Sequence, residues 1–409
     1  MHKTKNSRNF APDNKNQVTD VKEALASAYA QRAMLMLDAA RMYEFLPNDA
    51  VSSVNEAGND VMGLTFPTVT ARQDSTAVRY NREVLAAYIL NDLNRADDAI
   101  SQTTASGNKL LASQAVVSGL KARLYMWTEN YAQALTWATK AIQLSGATPL
   151  TRDQWLSTTQ GFNDRSMPAW MWAFQFTADS PLVQSGIVNW TSWMAPEFTE
   201  GYSVYVPACV GKAFYDRIHN TDFRKLSFKA PAGSALAGQT PTLVDLGNYY
   251  DYTAVKFRPG QGNTDDYTVA CAVDVPLMRV EEMYFIQMEA EAQLGNLVGA
   301  QTQLNTFMSQ YRDSQYAFSA TDKEALVEEI FLEKSIELWG EGLNFFDYKR
   351  LNHSVTRGYA GSNFPTAGQF NTNGRPAWMN LVFPAAAYSR VLMDWNNPDH
   401  SDCYTPANY

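Results

Sequence analysis

The sequence predicts a mainly α protein: a tetratricopeptide-like scaffold of paired helices, with a loop-rich region containing a few short strands packed against it. Three observations lead there. Apolar residues recur at helical spacing in several stretches before residue 145 and again between 279 and 340. Ala122, Ala134, Ala138 and Ala141 put small residues where two antiparallel helices cross. Between these helical parts, residues 145–276 are dominated by Trp, Tyr, Gly, Pro and Thr, and their short apolar runs are bounded by turn residues.

Along the chain, Asp20 to Leu46 is Ala-rich, carries Leu25, Ala28, Leu35 and Met36 on a rough helical period, and stops at Pro47. A loop follows from Asn48 to Ser75. Further helices are expected from about Thr76 to Gln102, Lys109 to Thr128 and Tyr131 to Leu144. The last two form the informative pair, because Ala122, Tyr125, Ala134, Ala138 and Ala141 combine small crossing residues with one large ring. Ala169–Phe176 (AWMWAFQF) reads as a strand, and the alternation from Trp170 to Phe174 is expected to put its aromatic rings in the core. Helices return at Arg279–Leu294 and Val298–Tyr311, joined by Gly295-Asn296, and at Asp322–Gly340. From Gly358 to Tyr409 the chain is loop-rich again, and long loops of this kind tend to face ligands or partners.

Composition narrows the function. At 409 residues the chain can bury a substantial core without metals or disulfides. With 33 Lys+Arg against 42 Asp+Glu, a net charge of −9 and no basic block, it offers nucleic acid no electrostatic footprint. No apolar run is long enough for a membrane-spanning helix. The polar start, Met1 to Asn16, has no apolar stretch of a signal peptide, which reads as a cytosolic chain or as a mature fragment. Cys209, Cys271 and Cys403 form no disulfide framework, and His2, His219, His353 and His400 form no metal set. GxSxG, GxxxxGK[ST] and a helix-opening GxGxxG are missing, so the commonest hydrolase and nucleotide signatures are absent. Glu329, Glu333, Glu337 and Glu341 share one helix face; this is expected to be an ion-pair row meeting partners such as Lys349 or Arg350. A glycosidase needs two carboxyls facing each other across a sugar, which a single row does not supply.

The stronger cue is aromatic. Asn189-Trp190-Thr191-Ser192-Trp193 is followed by Phe198, Tyr202 and Tyr205 among Gly, Pro, Ser and Thr. Rings in a loop are poorly placed for core burial and well suited to stacking on sugar faces or peptide side chains. Trp190, Trp193, Tyr202 and Tyr205 are therefore expected to form a binding platform, with Asn189 beside it for sugar hydroxyls. A second candidate cluster is Tyr249, Tyr250 and Tyr252, around Asp251. Burial in the core is the competing reading for both.

Several collinear segments resemble the SusD/RagB family of nutrient-binding lipoproteins. Ala28 to Pro47 looks like the family's Arg-Ala helix, and Ile89–Ala99 (ILNDLNRADDA) like its Asp-Leu-x-x-Ala segment. Lys121–Ile142 is similar to its tetratricopeptide pair. Tyr215-Asp216 with Asp222 and Arg224 resembles its D-x-R element, and Arg279–Leu294 (RVEEMYFIQMEAEAQL) its R-x-x-E helix. Ile330–Leu351 (IFLEKSIELWGEGLNFFDYKRL) looks like its hallmark I-x-x-E-R-x-x-E-L-x-x-E-G-x-R-x-x-D-x-x-R, and Phe383-Pro384 with Asn396-Asn397-Pro398 resembles its terminal signals. Lys334 and Asn344 stand where arginines are usual and Ala385 where Ile is, departures expected to thin the ion-pair network.

The resemblance implies one SusD/RagB-like unit over 1–409, with N-terminal tetratricopeptide-like helices at 20–145. A loop-rich ligand-binding region would follow at 146–276, then C-terminal helices at 277–353 and a loop-rich end at 354–409. It implies a non-enzymatic, cofactor-free protein of the outer-membrane surface. Such a protein is held by a lipid anchor not present in this chain, captures an oligosaccharide and delivers it to a SusC-like TonB-dependent transporter. A peptide-binding member of the same fold, a glycoside hydrolase and a cytosolic tetratricopeptide adaptor stay open beside it.

Overall fold

The computed structural model describes residues 15–67, 78–101, 107–320, 322–384 and 390–404, without the side chains of 15–18, 390 and 391. The expected boundaries at Ser75, Thr76 and Gln102, the departure at Ala385 and the polar start to residue 14 lie outside these residues. Within them the protein is mainly helical, with one two-stranded sheet.

Helix α1, Lys15–Tyr43, packs along α2, Arg82–Ile100. The buried stripe of α1 is Ala26, Ala30, Ala33, Leu37 and Ala40, whereas Leu25, Ala28 and Leu35 face outward; of the residues expected on the apolar period only Met36 is buried. Small residues let the α2 backbone approach, and the larger leucines are left outside. The helix stops before Leu46 because other partners take the next amides. Phe45 N donates to Leu64 O at 3.1 Å and Leu46 N to Asn380 Oδ1 at 3.1 Å. Arg32 grips the buried Asp92 of α2 with two bonds of 2.6 and 2.7 Å.

Helices α3, Gln114–Trp127, and α4, Tyr131–Ser145, form the expected antiparallel pair. Ala122, Ala134, Ala138 and Ala141 are fully buried, as close crossing demands. The α3 helix begins at Gln114, not Lys109, because Ser113 caps it and the Lys109 carbonyl instead accepts from Ala173 N of β1, Trp170–Gln175, at 2.9 Å. The sheet pairs β1 antiparallel with β2, Asp274–Arg279. Trp170, Met171, Trp172 and Ala173 are all buried, while Phe174 is 51% exposed. The alternation expected for β1 fails because register irregularities lie between Trp170 and Ala173. Gly119 lets α3 approach the sheet closely: a Cβ there would lie 2.4 Å from Met278 Sδ, so that side chain would have to move.

Helix α6, Val280–Gln293, follows β2 directly and packs on α4, on α7, Leu297–Tyr311, and on α8, Lys323–Glu337. Asn296 and Asp322 cap α7 and α8. A short helix α9, Asn344–Arg350, closes the scaffold. Gly340, expected inside α8, instead lies beyond its end at φ +77°, and a Cβ there would meet Phe257 at 2.6 Å.

The loop-rich segment is fastened to this frame by buried charge. Glu337 of α8 accepts from Arg312 at 2.7 and 2.9 Å, from Arg279 at 3.0 Å and from Arg224 at 3.1 Å. Glu341 takes Arg279 at 2.8 and 2.9 Å and Lys256 at 2.6 Å, and Glu333 pairs with Arg224. Arg224 and Lys256 come from the loop-rich segment, and the Trp155 ring lies 5.1 to 5.6 Å from Lys256, Arg312 and Arg279. The expected partners are elsewhere. Arg350 pairs with Glu289 and Asp347, and Lys349 donates to the Arg41 and Met42 carbonyls at the end of α1. Glu329 accepts from the Tyr316 hydroxyl at 2.8 Å instead of a cation. Lys334 still reaches Asp347 at 2.7 Å, so the row is not thinned there.

Candidate functional site

The candidate platform is built on a one-turn helix. Asn189 caps α5, Trp190–Met194, by accepting from Ser192 N at 3.0 Å. The fully buried Ser192 Oγ then accepts from Tyr202 N at 3.0 Å, which draws the turn at Tyr202 against the helix. Trp193 and Tyr202 consequently stack with ring centroids 4.5 Å apart at 28°. Trp193 is 55% exposed, Tyr202 37% and the following Tyr205 79%, so these rings stand outside the core. Between Trp193 and Tyr202 in the chain, Glu197 is completely buried, paired with Arg258 and accepting from Leu243 N at 2.6 Å. The Asn189 cap, the Ser192–Tyr202 bond and the Glu197 pair tie the backbone on both sides of the exposed rings to buried groups.

The other expected site residues take different places. Trp190 is half-buried and sits edge-on to Phe257 at 5.3 Å, packed on the main core. Asn189 is buried beside Cys271, so its capping role replaces the expected reach toward a ligand. Burial pushes the Cys271 thiol up to about 11, with Asn189 and Thr191 opposing. Tyr249 is half-buried and its hydroxyl donates to the Pro196 carbonyl at 2.8 Å, bringing the second cluster against the base of the first. Tyr250 is 70% exposed. Tyr252 turns inward beside Tyr215, at φ +69°, and its backbone bridges Lys229 and Val210.

The sequence reading missed Trp339, Phe345, Arg357, Phe364 and Trp378, which surround a cavity of about 360 Å³. They come from well-separated parts of the chain, so no local cluster announced them. Cys209, Cys271 and Cys403 are unpaired. Among the described residues no group of His, Cys, Asp and Glu gathers as a metal site, and no helix is long and apolar enough to cross a membrane.

Residues 237–386 match the sequence profile of the SusD family. Over this stretch the chain resembles the SusD/RagB family. Its fold is that of solved SusD-like structures. A SusD-like carbohydrate binding protein from Bacteroides vulgatus superposes with a TM-score of 0.68 at 21% identity, covering 94% of this chain and 79% of that one. A SusD superfamily protein from Bacteroides thetaiotaomicron gives 0.61 at 17% identity, over 86% and 72%. A laminarin binding SusD-like protein gives 0.51 at 15% identity, over 84% and 73%. No curated protein matches. The likeness is one of overall fold, while the aromatic surface belongs to the loops laid on the paired helices.

Proposed function

We propose that this chain captures an oligosaccharide at the outer-membrane surface and hands it to a SusC-like TonB-dependent transporter, without chemistry of its own. The observation that carries the proposal is the exposed Trp193–Tyr202 stack, held by the bond from Tyr202 N to the buried Ser192 Oγ. An indole face held open to solvent gives the C–H face of a sugar ring an apolar surface to lie on. Tyr205 and Tyr250 extend the candidate surface with hydroxyls, and residues 146–276 form the ligand-binding region. The SusD-like structures with the same fold include one named for carbohydrate binding and one for laminarin binding, which supports a glycan as the ligand class. The Glu329, Glu333, Glu337 and Glu341 row is consumed by protein partners, which supports binding over hydrolysis.

The test is a glycan array read beside a peptide pool, with the bound glycans then followed by calorimetry. Binding of a glycan class that weakens in Trp193→Ala is expected, with no release of reducing ends. Selective binding of peptides, or hydrolysis abolished by a single carboxylate substitution, would replace this reading.

A further inference from the structure

A cavity of about 360 Å³ lies between the end of α8, α9, the segment at 210–214 and the loops at 354–379. That is the small end of the range for small-molecule sites, roughly 300–1,000 Å³. Three features of its lining point to one kind of occupant. The first is apolar: Trp339, Phe345, Phe364 and Trp378 are half-buried rings around it.

The second is a set of unmet acceptors. Ser335 is 2% exposed, lines the cavity and has no hydrogen-bond partner for Oγ among the described residues. Asn344 donates through Nδ2 to the Ser335 carbonyl at 2.8 Å, which fixes its amide, and its buried Oδ1 is left without a partner. Buried polar groups are ordinarily satisfied, so a hydroxyl donor is called for here.

The third is an unpaired cation. The Arg357 guanidinium lies 5.1 Å from the Phe364 and Phe370 ring centroids and 5.9 Å from that of Trp378. Among the described residues no carboxylate pairs with it, in contrast to Arg123, Arg224, Arg279 and Arg312, which all have acidic partners. Burial lowers its pKa, with no carboxylate acting against that. A guanidinium held by rings and lacking an anion is prepared for a bidentate carboxylate from outside.

We infer that this cavity binds a hexuronic acid unit, its carboxylate on Arg357, its hydroxyls on Asn344 and Ser335, and its ring face on the indoles. A neutral sugar would leave Arg357 unmet, and a simple aliphatic acid would supply neither the hydroxyl donors nor the ring face. That the ligand is a sugar rests on the glycan-binding reading; that it is an anion rests on the cavity alone.

The experiment titrates the whole chain with galacturonic acid, galactose and a galacturonic acid trimer. Galacturonic acid should bind at least tenfold tighter than galactose, lose at least tenfold in Arg357→Gln, weaken with salt and be unchanged in Trp193→Ala. The wild-type comparison of acid with neutral sugar needs no variant, so misfolding of Arg357→Gln leaves it decisive. Tighter binding of the trimer than of the monomer assigns the site to an acidic unit within a glycan, and equal binding to the free acid; both support the inference. Equal binding of galactose and galacturonic acid, or binding indifferent to Arg357→Gln in a folded variant, overturns it. Neutral glycans that bind at Trp193 while uronates bind nowhere would remove this inference alone. Uronate binding through Arg357 without any glycan bound at Trp193 would remove the platform reading alone.

Discussion

Trp190 and Trp193 sit on the same helical turn, yet one leans on Phe257 and the other stacks on Tyr202 in the open. Their truncations should therefore separate. Trp190→Ala removes a ring packed on the core and is expected to cost on the order of 3 kcal/mol of stability, read from the urea midpoint. Trp193→Ala loses an exposed aromatic pair, roughly 1 kcal/mol of stability at most. In glycan binding it should cost about 2 kcal/mol, roughly thirtyfold in Kd by calorimetry. If both variants lose stability alike and binding alike, the division between core ring and platform ring fails. The density of aromatics around residue 190 was legible in the sequence because it is local. Which rings face out was not, because that depends on the Asn189 cap and on Ser192 holding Tyr202, a contact across ten residues. Trp339, Phe345 and Trp378 were illegible for the same reason on a longer scale: only folding brings them round one cavity.

Among the elements, the helices were most legible where small residues and caps coincide. Asn130, Asn296 and Asp322 stand before periodic runs, and each caps a helix that starts close to where it is expected, whereas Ser113 lies inside the expected Lys109–Thr128 run and caps α3 later than that run begins. The errors are at ends decided by tertiary partners, as where Leu64 and Asn380 take the amides that would have continued α1. The outward leucines of α1 were misread because a stripe of alanines carries little hydropathy signal, although it is what brings α2 close. Ala134 tests this view of the scaffold. It is completely buried on α4, a helix packed against both α3 and α6, so an indole has nowhere to go. Ala134→Trp should cost about 1–3 kcal/mol by overpacking, measured as a lower urea midpoint with an unchanged slope. An unaltered midpoint would mean that α4 is not held at that crossing.

At the scale of the molecule, scaffold and loops are joined by a core that is ionic as well as apolar, and pH should reveal it. Burial by itself would push Glu337 up, but Arg312, Arg279 and Arg224 more than reverse that and hold it well below 4.5. Arg279 and Lys256 do the same for Glu341, and Lys334 with Arg350 brings Asp347 down to about 2. Carboxylates depressed on folding contribute stability that is complete above their unfolded values, near 4. That contribution is lost as the pH falls through their folded values. Glu333 has the opposite sign: burial raises it to about 7 despite Arg224, which Asp222 shares. Between about pH 4.5 and 7 the folded state therefore holds the extra proton at this site, and stability declines as pH rises. Tm should accordingly peak near pH 5, fall steeply toward pH 3 and drift down toward pH 8. Glu333→Gln should flatten the alkaline limb. Glu337→Gln leaves Arg224, Arg279 and Arg312 sharing too little negative charge. Removing one member of a buried ion pair costs about 3–5 kcal/mol, so this variant should be the most damaging of the row and should lose part of the acid limb as well. Because Arg224 belongs to the loop-rich segment and Glu337 to α8, that segment should become the first to be cut by protease in Glu337→Gln. Uniform loss of protection along the whole chain would instead mean that Glu337 stabilises the helices generally and does not fasten the loops to them.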